Sequence, residues 1–512
     1  MLAAAAAGGL AACSGDSPSG TPSPTLSGTP TSPSATTSTA TPVAPPSRAD
    51  WAQLARSVQG TLRRPSDPGF DEVRLLENPR YDDQSPLAVL SVTSAQDVAA
   101  GLAFAQDHGV PVAIRSGGHS YPGWSAGGSP PALVVDCRPL SGVDMRGDAV
   151  TIGAGASLVQ VYDAVGSRGR AVAGGSCATV GVSGLALGGG VGVLTRAMGL
   201  TCDAITAMDV VTADGQTRRA SAQEEPDLFW ALRGGGGGHL GVVTSLELVT
   251  SEEPTLQTFY FQWPIAVAAQ VIDAWQSWAA QASPELWSTL KALGGRKHAE
   301  GPIVLVAGNW VGSASAVDRQ LDGLLAQVPA PTASSRGART YREAMMAYAG
   351  CASIPIGRCT TGPGGSLTRE AFAATSSVAY VPLDSSGIHS LLAQVRSDSA
   401  SDLREAGISI DALGGKVADM DAADTAFVHR AALTTVQYTA TFSSRRAKAA
   451  DDYVREFRAA MTPHWGNHAY VNYADPTIPD YLAAYFGDNA ARLTQTRHDY
   501  DPHGFFTQPQ SY

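Results

Sequence analysis

The chain has 512 residues, beyond the roughly 250 to 300 over which one hydrophobic core usually extends, so two packed units are expected. Hydrophobic residues make up 44% and charged residues 16%, a globular balance. A formal net charge of -11 without a long Lys/Arg run excludes nucleic acid or anionic lipid as the main ligand and favours a small neutral or cationic substrate.

The first 13 residues, MLAAAAAGGLAAC, read as a signal peptide: apolar, built of small side chains and too short to span a bilayer. Leu10-Ala11-Ala12-Cys13 resembles the lipobox of bacterial lipoproteins, which implies cleavage before Cys13 and lipidation of it. The alternative is an Ala-rich leader that happens to contain a cysteine, and export follows from either. Residues 14–48 are nearly all Ser, Thr, Pro, Gly and Ala, a composition that cannot bury enough apolar surface to fold and reads as a surface tether.

From about residue 86, β-rich runs alternate with helical ones. LAVLSV, SAQDVAAGLAFAQDHG and VPVAIRSGG form a β-α-β unit, with Ser94 and Asp97 as a capping box and Gly109 at the helix end. Strands follow at ALVVD and AVTIG, a helix at SLVQVYDAVGSRG, and a hairpin in AMDVVTADGQTRRA, where Asp214-Gly215 suits a tight turn. PDLFWALRGGGGGHLGVVTSLELV adds a short helix, a glycine run and a strand, closing an α+β domain over 49–252.

After Glu252-Glu253-Pro254 the texture changes. TFYFQW, PIVLVAGNW and LTTVQYTATF alternate with helices such as AVAAQVIDAWQSWAAQ and AKAADDYVREFRAAM, which predicts a second domain over 253–464 with an antiparallel or mixed sheet backed by helices on one face. Trp275 and Trp278 fall on the apolar face of the first of these helices and are expected in the core, not on a sugar platform.

Three stretches concentrate glycine: RSGGHSYPGWS at 115–125, AGGSCATVGVSGLALGGGVG at 173–192 and RGGGGGHLG at 233–241. Glycine lets backbone N–H groups approach a ligand closely, as a pyrophosphate requires. None is a GxGxxG between strand and helix, so a Rossmann fold is not supported. Over residues 50–512 the sequence resembles the berberine-bridge-enzyme-like FAD-linked oxidases, whose flavin domain is of the vanillyl-alcohol-oxidase or PCMH type. The resemblance is carried by RxGGH at 115–119, by GxCxxVGxxGLxLGGGxG at 175–192 and by YVNYADPTIPDYLAAYFGDNAARLTQTRHDYDPHGFF near the C-terminus.

That resemblance implies an α+β architecture: a PCMH-type FAD domain, a substrate domain with a mainly antiparallel sheet, and a closing segment, 465–512, that returns to the FAD domain. It implies FAD bonded through its 8α-methyl to His119 and through ring carbon 6 to Cys177. Around the cofactor it places Arg115, Ser116, Gly117, Gly118 and Ser120 from the first run. Gly175, Thr179, Val180, Gly181, Gly184, Gly188, Gly189, Gly190 and Gly192 come from the second, with Val243, Tyr470 and Asn472 beyond them. An exported enzyme cannot recruit fresh FAD, so covalent retention is the physical sense of two bonds.

The same resemblance gives Tyr473 and Asp411 as the catalytic pair. A tyrosine with a pKa near 10 acts as a base only if Asp411 accepts its proton or a cation stabilises the phenolate. Gln437, Tyr470 and Thr435 are assigned to substrate, and Thr435 stands where plant alcohol-oxidising members have a lysine. Val180 matches a position that gates oxygen, and a small branched residue there favours O2 as acceptor. His239 departs from the family's GGGGN and is given no catalytic part.

If Cys13 is lipidated and Cys177 holds flavin, four cysteines remain. Cys351 and Cys359 flank CASIPIGRC and, outside the cytoplasm, read as a local disulfide, while Cys137 and Cys202 read as buried thiols. The expected activity is hydride abstraction from a carbohydrate or secondary alcohol, with O2 reduced to H2O2. The alternatives are a natural-product flavin oxidase acting at C–N or C–C bonds, and an inert surface binding protein. No metal is expected, the membrane enters only through a lipid anchor, and the oligomeric state is expected to be a monomer or weak dimer.

Overall fold

The computed structural model describes residues 44–512. The leader ending at Cys13 and residues 14–43 of the expected tether lie outside the described residues. The first helix, Arg48–Ser57, is set by a reciprocal cap in which the Ser47 hydroxyl accepts from the Asp50 amide and the Asp50 carboxylate accepts from the Ser47 amide. Residue 48, the last of the expected tether, is therefore helical.

A four-stranded sheet follows, made of β1 (Thr61–Arg63), β2 (Ala88–Ser91), β3 (Val112–Arg115) and β4 (Leu133–Asp136) in the order β1-β2-β4-β3. The predicted β-α-β unit spans β2, the helix Ala95–Asp107 and β3, but β4 lies between its strands and runs parallel to both. All four residues of β4 are buried, as a strand covered on both faces requires. Ser94 caps the helix by accepting from the Asp97 amide. Asp97 does not return the bond: its buried carboxylate accepts from the amides of Gln59, Gly60 and Thr93, and so ties the start of β1 to the helix. Burial opposes its charge, yet those hydrogen bonds hold its pKa below the usual aspartate value.

A second sheet, entirely antiparallel, has the order β5-β6-β10-β8-β9. Its strands are β5 (Val143–Arg146), β6 (Ala149–Gly153), β8 (Ile205–Val211), β9 (Thr217–Ser221) and β10 (Val242–Val249), while β7 (Arg170–Ala171) pairs with β11 (Ser251–Glu252). The β8–β9 connection runs from Thr212 to Gln216, longer than a two-residue turn. Within it the Asp214 carboxylate accepts from the Thr212 hydroxyl and the Gln216 amide.

Strands β12 (Thr255–Pro264), β13 (Leu286–Gly294), β14 (Ile303–Val311), β15 (Ala333–Thr340), β16 (Phe372–Ala379), β17 (Glu405–Ala412) and β18 (Thr434–Thr441) build a seven-stranded sheet. Its order is β15-β12-β14-β13-β17-β18-β16, and every pairing is antiparallel. Side chains alternate across it. Phe261, Trp263, Leu290, Val306, Ile408, Val436 and Tyr438 form one hydrophobic cluster with the helices Ala268–Gln281, Ser385–Val395 and Ala447–Trp465. Trp275 and Trp278 are buried there, their indole N–H groups donating to the Ser288 hydroxyl and the Gln320 carbonyl.

The opposite face of β13, β17 and β18 carries Thr289 and Lys291, Ser409 and Asp411, and Thr435 and Gln437, brought side by side by the register. Hydroxyls, an amide, a carboxylate and an ammonium in one patch are not a packing surface. After the helix Ala447–Trp465 the chain runs along β16, where the Val378 amide donates to the His468 carbonyl and the Tyr470 amide to the Ser376 hydroxyl. It ends against the first part of the fold: Arg492 pairs with Asp227 and the Tyr500 hydroxyl donates to Glu225. Phe486, Phe506 and Tyr512 join the hydrophobic cluster that holds the first two sheets.

Candidate active site

Two loops make the centre of the site. One leaves β3 as Ser116–Ser120, and the other joins β7 to the short helix Val182–Leu187. They touch at glycine on glycine. A Cβ on Gly117 would lie 2.1 Å from the Gly181 nitrogen, and one on Gly181 would lie 2.0 Å from the Ser116 hydroxyl oxygen. Only a residue without a side chain permits that approach. The contact brings His119 Nε2 to 2.8 Å from Thr179 Oγ1 and leaves Glu77 Oε2 3.9 Å from the same nitrogen.

Burial lowers the His119 pKa, with Glu77 opposing, so the ring is neutral near pH 7. Cys177 is exposed, whereas Cys137 and Cys202 are buried, so among the described residues it is the free thiol that a ligand can reach. The protein around it still raises its pKa through desolvation, with Glu77 adding to the rise and Lys291 opposing it. Cys351 and Cys359 form a disulfide whose sulfur-bearing loop packs on Val159 and Ala178, directly behind Cys177.

The three glycine runs converge. Leu187 carbonyl oxygen accepts from the amides of Gly234 and Gly236, so the third run hangs on the second. The Tyr470 hydroxyl accepts from the amides of Gly190 and Val191 at 3.1 and 3.2 Å and from Asn472 Nδ2 at 2.8 Å, and Asn472 also donates to the Leu185 carbonyl. Side chains on Gly188, Gly189 and Gly192 would run into Asn472, Phe427 and the Gly174 carbonyl, so the run is sealed on its protein side. Gly184 has no atom closer than 3.8 Å to a built Cβ, and Gly118 none closer than 3.4 Å.

Several of the residues expected at the ligand are engaged within the protein. Arg115 is fully buried and its guanidinium donates to the carbonyls of Val73, Arg74 and Ser125, so it braces the loop. Tyr470 is likewise buried, its hydroxyl engaged by the glycine run, so it organises the cradle. Ser116 donates to the Ala154 carbonyl and Ser120 accepts from the Trp124 amide. Val243 is buried in β10 opposite Val210, Tyr162 closes on the Gly175 carbonyl, and Val180 is half-buried beside Thr179.

The role of Tyr470 has a measurable consequence. Tyr470→Phe leaves two buried amides without an acceptor, each costing about 1 to 3 kcal/mol. The thermal midpoint is expected to fall by several degrees, as a melting curve would read, and an unchanged midpoint would contradict the pinning role.

The polar sheet face meets these loops through Tyr121, a residue the sequence did not single out. Gln437 donates its amide to the Tyr121 hydroxyl. Tyr121 stacks on Tyr473 with centroids 5.2 Å apart and planes 7° from parallel, and Tyr470 stands edge-on to Tyr473 at 5.0 Å. The available signal was its place two residues after His119, in the same glycine loop. Lys291 was also missed, although a lysine within the otherwise apolar alternation of LWSTLKALG marks a strand face that is not core.

Tyr473 and Asp411 are brought into electrostatic reach but share no direct hydrogen bond. Burial, then the neighbouring Tyr121, Asp411 and Tyr470, push the Tyr473 pKa far up. Burial also raises the Asp411 carboxyl, with the Thr289 and Ser409 hydroxyls and the Lys291 ammonium opposing. Thr435 lies opposite Asp411, buried, its hydroxyl without a partner.

A flavin dinucleotide fits the residues present. The backbones converge through glycine, an accessible thiol and a neutral imidazole flank the convergence, and His239 in the third run keeps a buried Nδ1 with no protein partner. His119, Thr179 and Cys177 would flank its ring, and the glycine runs would lie along its phosphates.

Comparison with known proteins agrees. Residues 86–221 match the family described as FAD binding domain, and 469–511 match the family described as berberine and berberine like. An uncharacterised FAD-linked oxidoreductase of Bacillus subtilis is 28% identical over 467 residues, covering 89% of this chain and 97% of that protein. The chitooligosaccharide oxidase of Gibberella zeae is 29% identical over 448 residues, covering 83% of this chain and 87% of that one. Among solved structures, berberine-bridge-enzyme-like 1 of Physcomitrella patens superposes with a TM-score of 0.82 at 25% identity, covering 90% of this chain and 98% of that chain.

Fold and site thus define an FAD-linked oxidoreductase with a PCMH-type flavin domain. Its two matched domains and its fold are those of the berberine-bridge-enzyme-like FAD-linked oxidases.

Proposed function

We propose that this oxidase carries FAD bonded to both His119 and Cys177 and removes hydride from a hydroxyl-bearing carbon of a carbohydrate or other secondary alcohol, with O2 reduced to H2O2. The observation that carries the reading is the meeting of the His119 and Cys177 loops in front of a sheet face bearing Asp411 and Gln437, with Tyr121 and Tyr473 between. The named activity of the Gibberella relative, oxidation of chitooligosaccharides, supports a sugar as substrate. Export is part of the proposal, supported by the apolar leader and by the Cys351–Cys359 disulfide.

When bound, FAD supplies the hydride acceptor, and the protein supplies position and electrostatics. Gln437 and Tyr121 form one hydrogen-bonded unit that orients a substrate hydroxyl. Tyr473 offers a phenol to the same hydroxyl, and Asp411 is the carboxylate that takes the proton. Burial and then the neighbouring Tyr121, Asp411 and Tyr470 all disfavour a resting phenolate on Tyr473.

A panel of mono- and oligosaccharides and secondary alcohols, read anaerobically by bleaching of the flavin and then aerobically by peroxide, tests the assignment. Bleaching by at least one sugar or alcohol is expected. Bleaching by none of them would leave the hydroxyl-oxidising reading without support.

A further inference from the structure

Glu77 belongs to no predicted element of the site, yet three hydrogen bonds fix it, one to the His119 loop and two to the segment that carries Thr361 and Arg369. Its backbone amide donates to the Gly118 carbonyl at 3.1 Å, and its carbonyl accepts from Arg369 Nε at 3.3 Å. Its carboxylate accepts a 2.7 Å hydrogen bond from the Thr361 hydroxyl. Thr361 and Arg369 follow the loop closed by Cys351–Cys359, the same loop that backs Ala178 beside Cys177. A single disulfide-braced segment therefore holds the rear of both attachment loops, and Arg369 fixes its own place by pairing with Asp82.

The carboxylate is aimed at one nitrogen of the ring. Nε2 of His119 has Thr179 Oγ1 at 2.8 Å and Glu77 Oε2 at 3.9 Å, whereas Nδ1 has no partner among the described residues. A proton on Nε2 would face both Glu77 and the Thr179 hydroxyl and would leave the free lone pair on Nδ1. Joining an imidazole nitrogen to the flavin's 8α-carbon releases one carbon-bound and one nitrogen-bound hydrogen as protons. Their electron pair enters the ring and passes to dioxygen, which leaves as hydrogen peroxide. As Nδ1 forms its bond the imidazole becomes cationic until Nε2 gives up its proton, and an uncompensated cation in a buried site is costly.

We propose that Glu77, clamped by Thr361, is a positioning residue for attachment of flavin to His119: it fixes the Nε2–H tautomer and balances the charge on the ring while the bond to Nδ1 forms. The inference rests on the reading that His119 carries the flavin. Glu77 also acts on Cys177, where Lys291 offsets it, so the two attachments must be separated.

The test uses the full chain carrying Cys177→Ala, so that His119 is the remaining point of attachment. Glu77→Gln keeps the shape and the acceptor for Thr361 but removes the charge, and Glu77→Asp restores it. The covalent share is read by intact mass and by flavin retained on acid precipitation, at intervals after induction. Glu77→Gln is expected to slow attachment about a hundredfold, within the range for a positioned proton acceptor, with an unchanged melting temperature, and Glu77→Asp to recover most of the rate. Attachment in Glu77→Gln at the rate of the Cys177→Ala reference overturns the inference, as does an Asp variant no faster than Gln. A reference protein that itself releases all of its flavin in acid removes His119 as an attachment point, and the role of Glu77 falls with it.

Discussion

Replacing both His119 and Cys177 by Ala is expected to yield a chain that gives up all of its flavin on acid denaturation, while either single replacement keeps the colour in the precipitate. The two residues lie on separate loops held together by the Gly117–Gly181 contact and the His119–Thr179 hydrogen bond, so losing one anchor leaves the other loop and its reactive group in place. With only the glycine cradle left, retention depends on hydrogen bonds and packing, and unfolding abolishes those. The folded double variant is expected to purify with substoichiometric flavin that free FAD replenishes. Absorbance of the acid supernatant and pellet is the measurement. Pigment that stays with the double-variant pellet would mean that flavin is bonded elsewhere on the chain.

What the sequence disclosed of this arrangement follows the range of the forces involved. Glycine runs are legible because a steric demand is written residue by residue, as at Gly117, Gly181 and Gly188, where a Cβ would strike neighbouring atoms. The two faces of β18 are legible because alternation is local: Val436 and Tyr438 face helices, and Thr435 and Gln437 face the site. The nine-residue Cys351–Cys359 loop is local as well. Pairings between distant segments were not legible. Gln437 meets Tyr121 across 316 residues and Thr361 meets Glu77 across 284, and nothing in either neighbourhood names its partner. Arg115 is a further case: its motif is local, but the buried guanidinium answers to three carbonyls, two of them in a segment about 40 residues away. The insertion of β4 between β2 and β3 is again a matter of burial that only the assembled sheet decides.

The fate of the substrate proton is where geometry constrains the chemistry most. A phenol whose pKa is raised far above 10 by burial and by neighbouring Tyr121 and Asp411 is protonated throughout the working pH range, so Tyr473 alone cannot be the resting base. Asp411 carries charge at neutral pH if its rise, from burial, is moderated by Thr289, Ser409 and Lys291, all of which face it from β13 and β17. Asp411→Asn is therefore expected to lower the rate of anaerobic flavin reduction by about 10²- to 10⁴-fold, the usual worth of a positioned base, with flavin content unchanged. Tyr473→Phe should also slow reduction, and the double variant should be little worse than the slower single one, because the two groups serve one proton. The pH profile separates a base from a mere contact. A base must be deprotonated, so the rate falls as pH drops through the Asp411 pKa, and the upward shift puts that acid limb above the position of an ordinary aspartate. In Asp411→Asn the limb should vanish. An Asn variant that reduces its flavin at the parental rate, or one that keeps the same acid limb, would take Asp411 out of the reaction.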